Sequence, residues 1–320
     1  MTNEDIRDLL SRMPRAPSIC CGGAAPGRFS AMKPFPCRSY IRSAAGRTAR
    51  GPALAQDEGH SFMLRDILVL LNHTSDRAGL LAQSIAAEFG AFLTGVCPAA
   101  PSAPVEPLGK ETDVIGLPEA ALARFEQNAR EANLRVGILE ATADQENILA
   151  IARTYDLLVV EQKDPKEAKP TDDYIEALLL FSGRPSVIVP YIDIKPVGFK
   201  SVTVAWDGSA SAARAVADAL PFLKRAERVE LVMVGEGAAE EGFLGARLVQ
   251  HLACHKIHAS YLTLSKFAGV ADALLSHVAE VGSDLLIMGA YDHSRLRERV
   301  LGGVSREILG SMTVPIFMSH

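Results

Sequence analysis

The sequence predicts an α/β protein built from two repeats of one unit, each a five-stranded parallel sheet flanked by helices. Three observations predict this. Short apolar runs alternate with segments whose apolar residues recur at helical spacing, the pattern of strand and helix taken in turn. The alternation runs from residue 63 to residue 320, and its order occurs twice. The registers of the two passes also match. Ile67-Leu68-Val69-Leu70-Leu71-Asn72 lies over Val202-Thr203-Val204-Ala205-Trp206-Asp207 at an offset of 135, and Asp156-Leu157-Leu158-Val159-Val160 over Asp284-Leu285-Leu286-Ile287-Met288 at 128. Internal duplication is the economical reading.

The first repeat spans 63–192. Residues 67–71 are an apolar strand, followed by a turn at 72–76 rich in helix-capping residues. A helix over 78–89 carries Leu81, Ile85 and Phe89 on one face and stops at Gly90. A strand at 92–97, a Pro-rich connection and a helix over about 118–132 follow. The repeat closes with a strand at 134–139, a helix at 146–153, a strand at 157–160, a helix at 172–181 and a strand at 186–189. Residues 193–199, with Pro196 and Gly198, read as a linker. The second repeat, 200–320, has strands at 202–206, 229–234, 259–264, 284–288 and 315–318. Its helices fall at 212–223, 240–254 and 270–281, the last closed by Gly282, with a final helix opening at 305.

Residues 1–62 show neither period beyond a short helix at 5–13, and their Pro, Gly, Ser and Arg content predicts a disordered leader. Met63 directly precedes the first clear strand, so an upstream extension ahead of a true start at Met63 is the favoured reading. No 7–15-residue apolar core marks a signal peptide.

The 320 residues suggest about two domains. They are 48% hydrophobic and 22% charged, an ordinary α/β composition. Nine basic and five acidic residues fall in 1–62, which leaves 24 and 33 in the remainder, so the body is acidic. That balance argues against nucleic acid as the main partner. No apolar run approaches the roughly 18 residues of a spanning helix, so no membrane partner is expected. The five cysteines show no CxxC or disulfide spacing, which points to a reducing cytoplasm.

The most informative stretch is Leu285-Leu286-Ile287-Met288-Gly289-Ala290-Tyr291-Asp292-His293-Ser294-Arg295, running on to Val300-Leu301-Gly302-Gly303-Val304-Ser305-Arg306. It reads as a buried strand, a glycine turn, a basic loop, a glycine pair and a helix start. That order builds an anion site, because small residues let backbone N–H groups approach a phosphate and a helix N-terminus favours negative charge. At the other strand end, Asp207-Gly208-Ser209 precedes a helix, where Asp207 also suits an N-cap.

These residues resemble the universal stress protein family in a tandem two-domain form. The resemblance covers essentially all of 63–320. It rests on Asp207, on the Asp284–Gly289 run and on the spacing Gly289-x2-Asp292-x9-Gly302-Gly303-Val304-Ser305. Nucleotide-binding members carry Gly-x2-Gly-x9-Gly-Ser/Thr, which implies a Rossmann-like sheet of the adenine nucleotide alpha hydrolase-like type. By position, the resemblance implies that Asp207 faces the adenosine end of a nucleotide. It places the backbone near Val234 against adenine, and Gly289, Gly302, Gly303 and Ser305 around the phosphates. It further implies pairing of the repeats within the chain through their last strands.

Two positions depart from the family pattern. Asp292 replaces the second glycine and brings a carboxylate near the phosphates. One like-charge pair about 5 Å apart at an effective dielectric near 20 costs roughly 3 kcal/mol, about two decades of affinity. Gly303 replaces the hydroxyl residue and loses one donor, about 1 kcal/mol. Arg295, Arg297, Arg299 and Arg306 supply opposing charge, or form a solvated face. The expected ligand is ATP or another adenine nucleotide, with magnesium accompanying it, held weakly or not at all. In the first repeat, Asn72 stands at the strand-end aspartate and 160–167 has no glycine motif, so no nucleotide is expected there.

Other reactive residues read as structural. His251, Cys254, His255 and His258 have metal-like spacing, but the helix is expected to end near 254–255. Cys97 reads as packed, His293 has no nucleophile beside it, and Asp172-Asp173 and Glu240-Glu241 read as acidic helix starts. The leading expectation is a non-catalytic stress-response regulator with one nucleotide or anion site, in Asp207, Val234, Gly289, Gly302, Gly303 and Ser305. A homodimer and a regulatory protein are its expected partners. The alternative is an interaction or dimerisation protein with a vestigial site. A slow ATPase ranks last, since no activated nucleophile or base pair is visible.

Overall fold

The structure is a computed structural model, and it describes residues 64–98, 117–139, 145–162, 172–192, 198–235, 239–290 and 303–320. The expected leader helix at 5–13 and the start at Met63 lie outside the described residues. All described residues belong to one compact unit, Ser39–His320.

The first half runs β1 (Asp66–Leu70), α1 (Arg77–Phe89), β2 (Phe92–Val96), α2 (Leu117–Glu131), β3 (Val136–Leu139), α3 (Gln145–Ala152), β4 (Leu157–Glu161), α4 (Asp172–Phe181) and β5 (Ser186–Val189). The second runs β6 (Ser201–Ala205), α5 (Ala210–Asp218), α6 (Leu220–Leu223), β7 (Arg228–Gly235), α7 (Ala239–Cys254), β8 (Ala259–Ser265), a 3-10 turn (Lys266–Ala268), α8 (Val270–Val281), β9 (Leu285–Gly289), α9 (Gly303–Ser311) and β10 (Ile316–Ser319). Ten strands form one sheet in the order β3-β2-β1-β4-β5-β10-β9-β6-β7-β8. The order within each half is the same, so the fold is two five-stranded parallel units joined edge to edge. The seam is antiparallel, with Ile316 opposite Ile188 and Met318 opposite Ser186. Pairing of the last strands is therefore made within the chain.

Burial explains the apolar runs. β4, β5, β9 and β10 are buried along almost their whole length because helices cover both faces of the sheet. The two faces carry separate cores, and each core runs across the seam. On one face Phe222 of α6 meets Phe89 of α1, Phe199 and Phe317, at centroid distances of 4.9, 5.3 and 5.6 Å. Arg225 stacks on the Phe89 ring at 4.3 Å. Gln162, buried just after β4, donates to Leu309 O at 2.6 Å and accepts from Tyr191 N at 3.1 Å, a further tie between halves. Among the described residues, no helix is long and apolar enough to cross a membrane.

The duplication extends to single hydrogen bonds. Asp156 Oδ2 accepts from Arg65 N and Asp66 N at the start of β1, at 2.9 and 3.0 Å. Asp284 Oδ2 accepts from Lys200 N and Ser201 N at the start of β6, at the same distances. Each carboxylate clamps the entry of its repeat's first strand.

Some boundaries differ from expectation. The single helix expected over 212–223 is two, α5 and α6, because Pro221 has no N–H to continue the ladder. β3 begins at Val136 rather than 134, because Asn133 (φ 55) turns the chain and Leu134 N bonds back to Ala129 O. The last helix opens at Gly303, two residues early. Phe199, within the stretch read as linker, is a buried core residue with φ 46 whose ring packs edge-on against Phe222.

Candidate functional site

The site forms where β6, β7 and β9 end. β6 runs out at Ala205, and Asp207 turns the chain: its Oδ1 accepts from Ser209 N at 2.9 Å. Gly208 takes a positive φ of 76° inside that turn. Ser209 then caps α5 by accepting from Ala212 N at 3.1 Å. The capping function considered for Asp207 therefore belongs to Ser209, and Asp207 holds the preceding turn with its residue exposed. Asn72 builds the same turn in the first repeat, accepting from Thr74 N at 3.1 Å.

Gly289 ends β9 against the first turn of α5. A Cβ there would lie 2.5 Å from Ala212 N and 2.6 Å from both Ser211 C and Ser211 Oγ. No side chain fits, so the glycine is required by the approach of strand to helix, whatever occupies the cavity beside it. A Cβ on Gly303 would meet only Glu307 Oε1, at 3.7 Å, so nothing described demands a glycine there.

A cavity of about 310 Å³ lies between these elements. Its lining includes Asp207, Ser211, Gly289, Gly303 and Ser305, together with the apolar Ala205, Val232, Val234, Val270, Leu274 and Met288. Five of the six expected site residues, Asp207, Val234, Gly289, Gly303 and Ser305, thus share one cavity. The sixth, Gly302, lies outside the described residues, as do Asp292, His293, Arg295, Arg297 and Arg299. Arg306 is described and exposed on α9, and does not line the cavity. Trp206, Ser211, Val270, Leu274 and Met288 were not anticipated. The apolar first turn of α8, directly after Gly269, was the available signal for Val270 and Leu274.

Chemically the cavity has a mostly apolar lining. Its polar lining is a carboxylate, two hydroxyls and the first turn of the nine-residue helix α9. Asp207 is its one charged lining residue among those described. Among the described residues, no group of three or more His, Cys, Asp or Glu is placed to hold a metal ion. Helix α7 ends at Cys254, and only the His251 and His255 rings approach each other, at 5.0 Å. Cys97 is buried with Sγ 3.7 Å from Leu71 O and 3.5 Å from His73 Nδ1, and burial pushes its thiol up to about 11, away from reactivity.

Fold and site together define a class: an open parallel α/β sheet with a cavity beyond the carboxyl ends of its strands. The cavity sits where the chain order reverses between β6 and β9. Within that class, the fold is one found in universal stress proteins. A universal stress protein from Archaeoglobus fulgidus DSM 4304 superposes with a TM-score of 0.64 at 16% identity, over 79% of this chain and 97% of its own. A functionally unknown protein from Pseudomonas aeruginosa PAO1 superposes with a TM-score of 0.54 at 16% identity, over 80% and 92%. At such identity the shared property is the fold. No family model and no curated sequence matches the chain.

Proposed function

We propose that this chain is a tandem universal stress protein, a non-catalytic stress-response regulator whose second repeat binds an adenine nucleotide or a related anion. The observation that carries the reading is the convergence of Asp207, Val234, Gly289, Gly303 and Ser305 on one cavity at the switch point of the sheet. The residues suit such a ligand. The wall of Val232, Val234, Val270, Leu274 and Met288 offers an apolar slot for a planar base. Asp207 can accept from ribose hydroxyls, and the Gly303–Ser305 turn presents helix N–H donors to a phosphate. Binding would favour one arrangement of the α9 entrance over another and so change the surface offered to a protein partner.

The test is calorimetric titration of the full chain with ATP, ADP and AMP, with and without magnesium, alongside Asp207→Asn. Asparagine keeps the turn, as Asn72 does, but removes the charge. A charge-assisted hydrogen bond contributes ~1.5–3 kcal/mol, so affinity should fall about 10- to 100-fold while stability is unchanged. A second reading, an interaction protein with a vestigial site, draws on Gly289, whose missing side chain is explained by packing alone. Absence of binding at millimolar nucleotide would favour it.

A further inference from the structure

The two repeats treat one junction in opposite ways. Val69 pairs with Val159 in β1·β4, and Val204 pairs with Ile287 in β6·β9. Two residues further on, β4 ends in Glu161 and β9 in Gly289. The offset of 135 that aligns the first strands also aligns Arg77 with Ala212. In the second repeat the junction is closed by contact, since any Cβ on Gly289 would strike Ala212 N. In the first repeat the two positions hold an acid and a base. Glu161 Oε1 lies 3.2 Å from Arg77 Nη1, and the Glu161 side chain is 6% exposed.

That pair sits at the first turn of α1, where Ser75 Oγ also accepts from Arg77 N at 3.3 Å and from Arg77 Nη1 at 3.0 Å. Its N-cap residue, Asp76, makes no capping bond. The Asp76 carboxylate instead accepts from Arg124 Nε at 2.8 Å. Burial raises the pKa of Glu161, while Ser75, Arg77 and the Ala78 N–H favour its charged form. One carboxylate oxygen, Oε1, thus meets the Arg77 guanidinium at the start of a 13-residue helix, while Oε2 is buried with no hydrogen-bond partner among the described residues.

We infer that the strand–helix junction of the first repeat is an anion site that the chain fills with its own carboxylate, Glu161, as a permanent internal ligand. That junction is therefore closed to exchange, which sets it apart from the exchangeable second-repeat site. Only this contrast rests on the functional reading given above; the filling of the junction stands on its own contacts.

The experiment uses four full-length proteins: wild type, Glu161→Gly, Glu161→Gln and the double variant Glu161→Gly/Arg77→Ala, which recreates the Gly289/Ala212 junction. Thermal unfolding is followed with added sodium formate or acetate, against sodium chloride at equal ionic strength. Glu161→Gly should lose stability, and about 0.2 M formate should return at least half of the lost Tm, by binding the folded form. Wild type, the filled Glu161→Gln and the double variant should show no formate-specific rise, and the double variant should be more stable than Glu161→Gly without any anion. Should Glu161→Gly not fold in buffer, its recovery of native circular dichroism in formate is the readout. Equal formate response in all four proteins, or none in Glu161→Gly, overturns the inference. Neither result bears on nucleotide binding to the wild type, which the titration above decides separately.

Discussion

Replacing Gly289 by alanine tests whether strand and helix meet as described. The new Cβ would lie 2.5 Å from Ala212 N and 2.6 Å from Ser211 C, about 1 Å inside ordinary contact. Both neighbours are backbone, so neither can rotate aside, and Ala212 N is also tied to the Ser209 cap. The first turn of α5 must move away from β9. Overpacking of this kind costs ~1–3 kcal/mol, and rigid backbone on the receiving side places it near the upper end. At about 2–4 °C per kcal/mol for a domain of this size, Tm should fall by about 6–12 °C without any ligand. Differential scanning calorimetry in nucleotide-free buffer measures this, with Gly303→Ala as the control. That Cβ meets one carboxylate oxygen at 3.7 Å, so its change should stay within about 0.5 kcal/mol. If Gly289→Ala unfolds at the wild-type temperature, the close approach is wrong. A stable variant with weakened nucleotide binding would make Gly289 a ligand contact instead.

Two further outcomes follow from the packing and charge. Burial, reinforced by the Asp156 carboxylate, pushes Asp66 from 3.8 up to about 6, and its Oδ1 is buried with no partner among the described residues. The folded state thus holds the proton more tightly than the unfolded chain. This contribution is complete below pH ~4 and disappears as pH rises through ~6. The rise from 3.8 to about 6 corresponds to about 3 kcal/mol, roughly halved for partial exposure. Asp66→Asn should accordingly gain about 1–1.5 kcal/mol at pH 7.5 and little at pH 4, by urea unfolding at both; a pH-independent difference contradicts the assignment. Phe222→Ala, at the centre of the aromatic cluster across the seam, should cost about 3–5 kcal/mol; a loss under 1 kcal/mol would show that Phe89, Phe199 and Phe317 close over the gap.

Much of the fold was legible because periodicity is a local property. A strand buried on both faces has to be apolar throughout, as Leu157–Glu161 and Leu285–Gly289 largely are, and a covered helix has to repeat its apolar residues at 3.6. Helix ends were legible where glycine takes φ near 64°, at Gly90 and Gly282. The split at Pro221 was legible in principle, since the residue removes a donor wherever it stands. Site residues were reached through spacing along the chain, which points to strand ends. It does not say which helix face turns toward them, so Ser211, Val270 and Leu274 went unseen.

The sequence by itself therefore determined the alternation of elements, the duplication and the strand ends at which a site could form. Each follows from neighbours along the chain or from a repeat that can be laid over itself. The tertiary structure alone decided what those positions do. It made Gly289 a packing requirement of α5, moved the helix cap from Asp207 to Ser209, and set Glu161 on Arg77. The Glu161–Arg77 pair joins residues 84 apart in sequence. Such contacts depend on how a helix settles on a sheet, and that is governed by volume and charge in three dimensions.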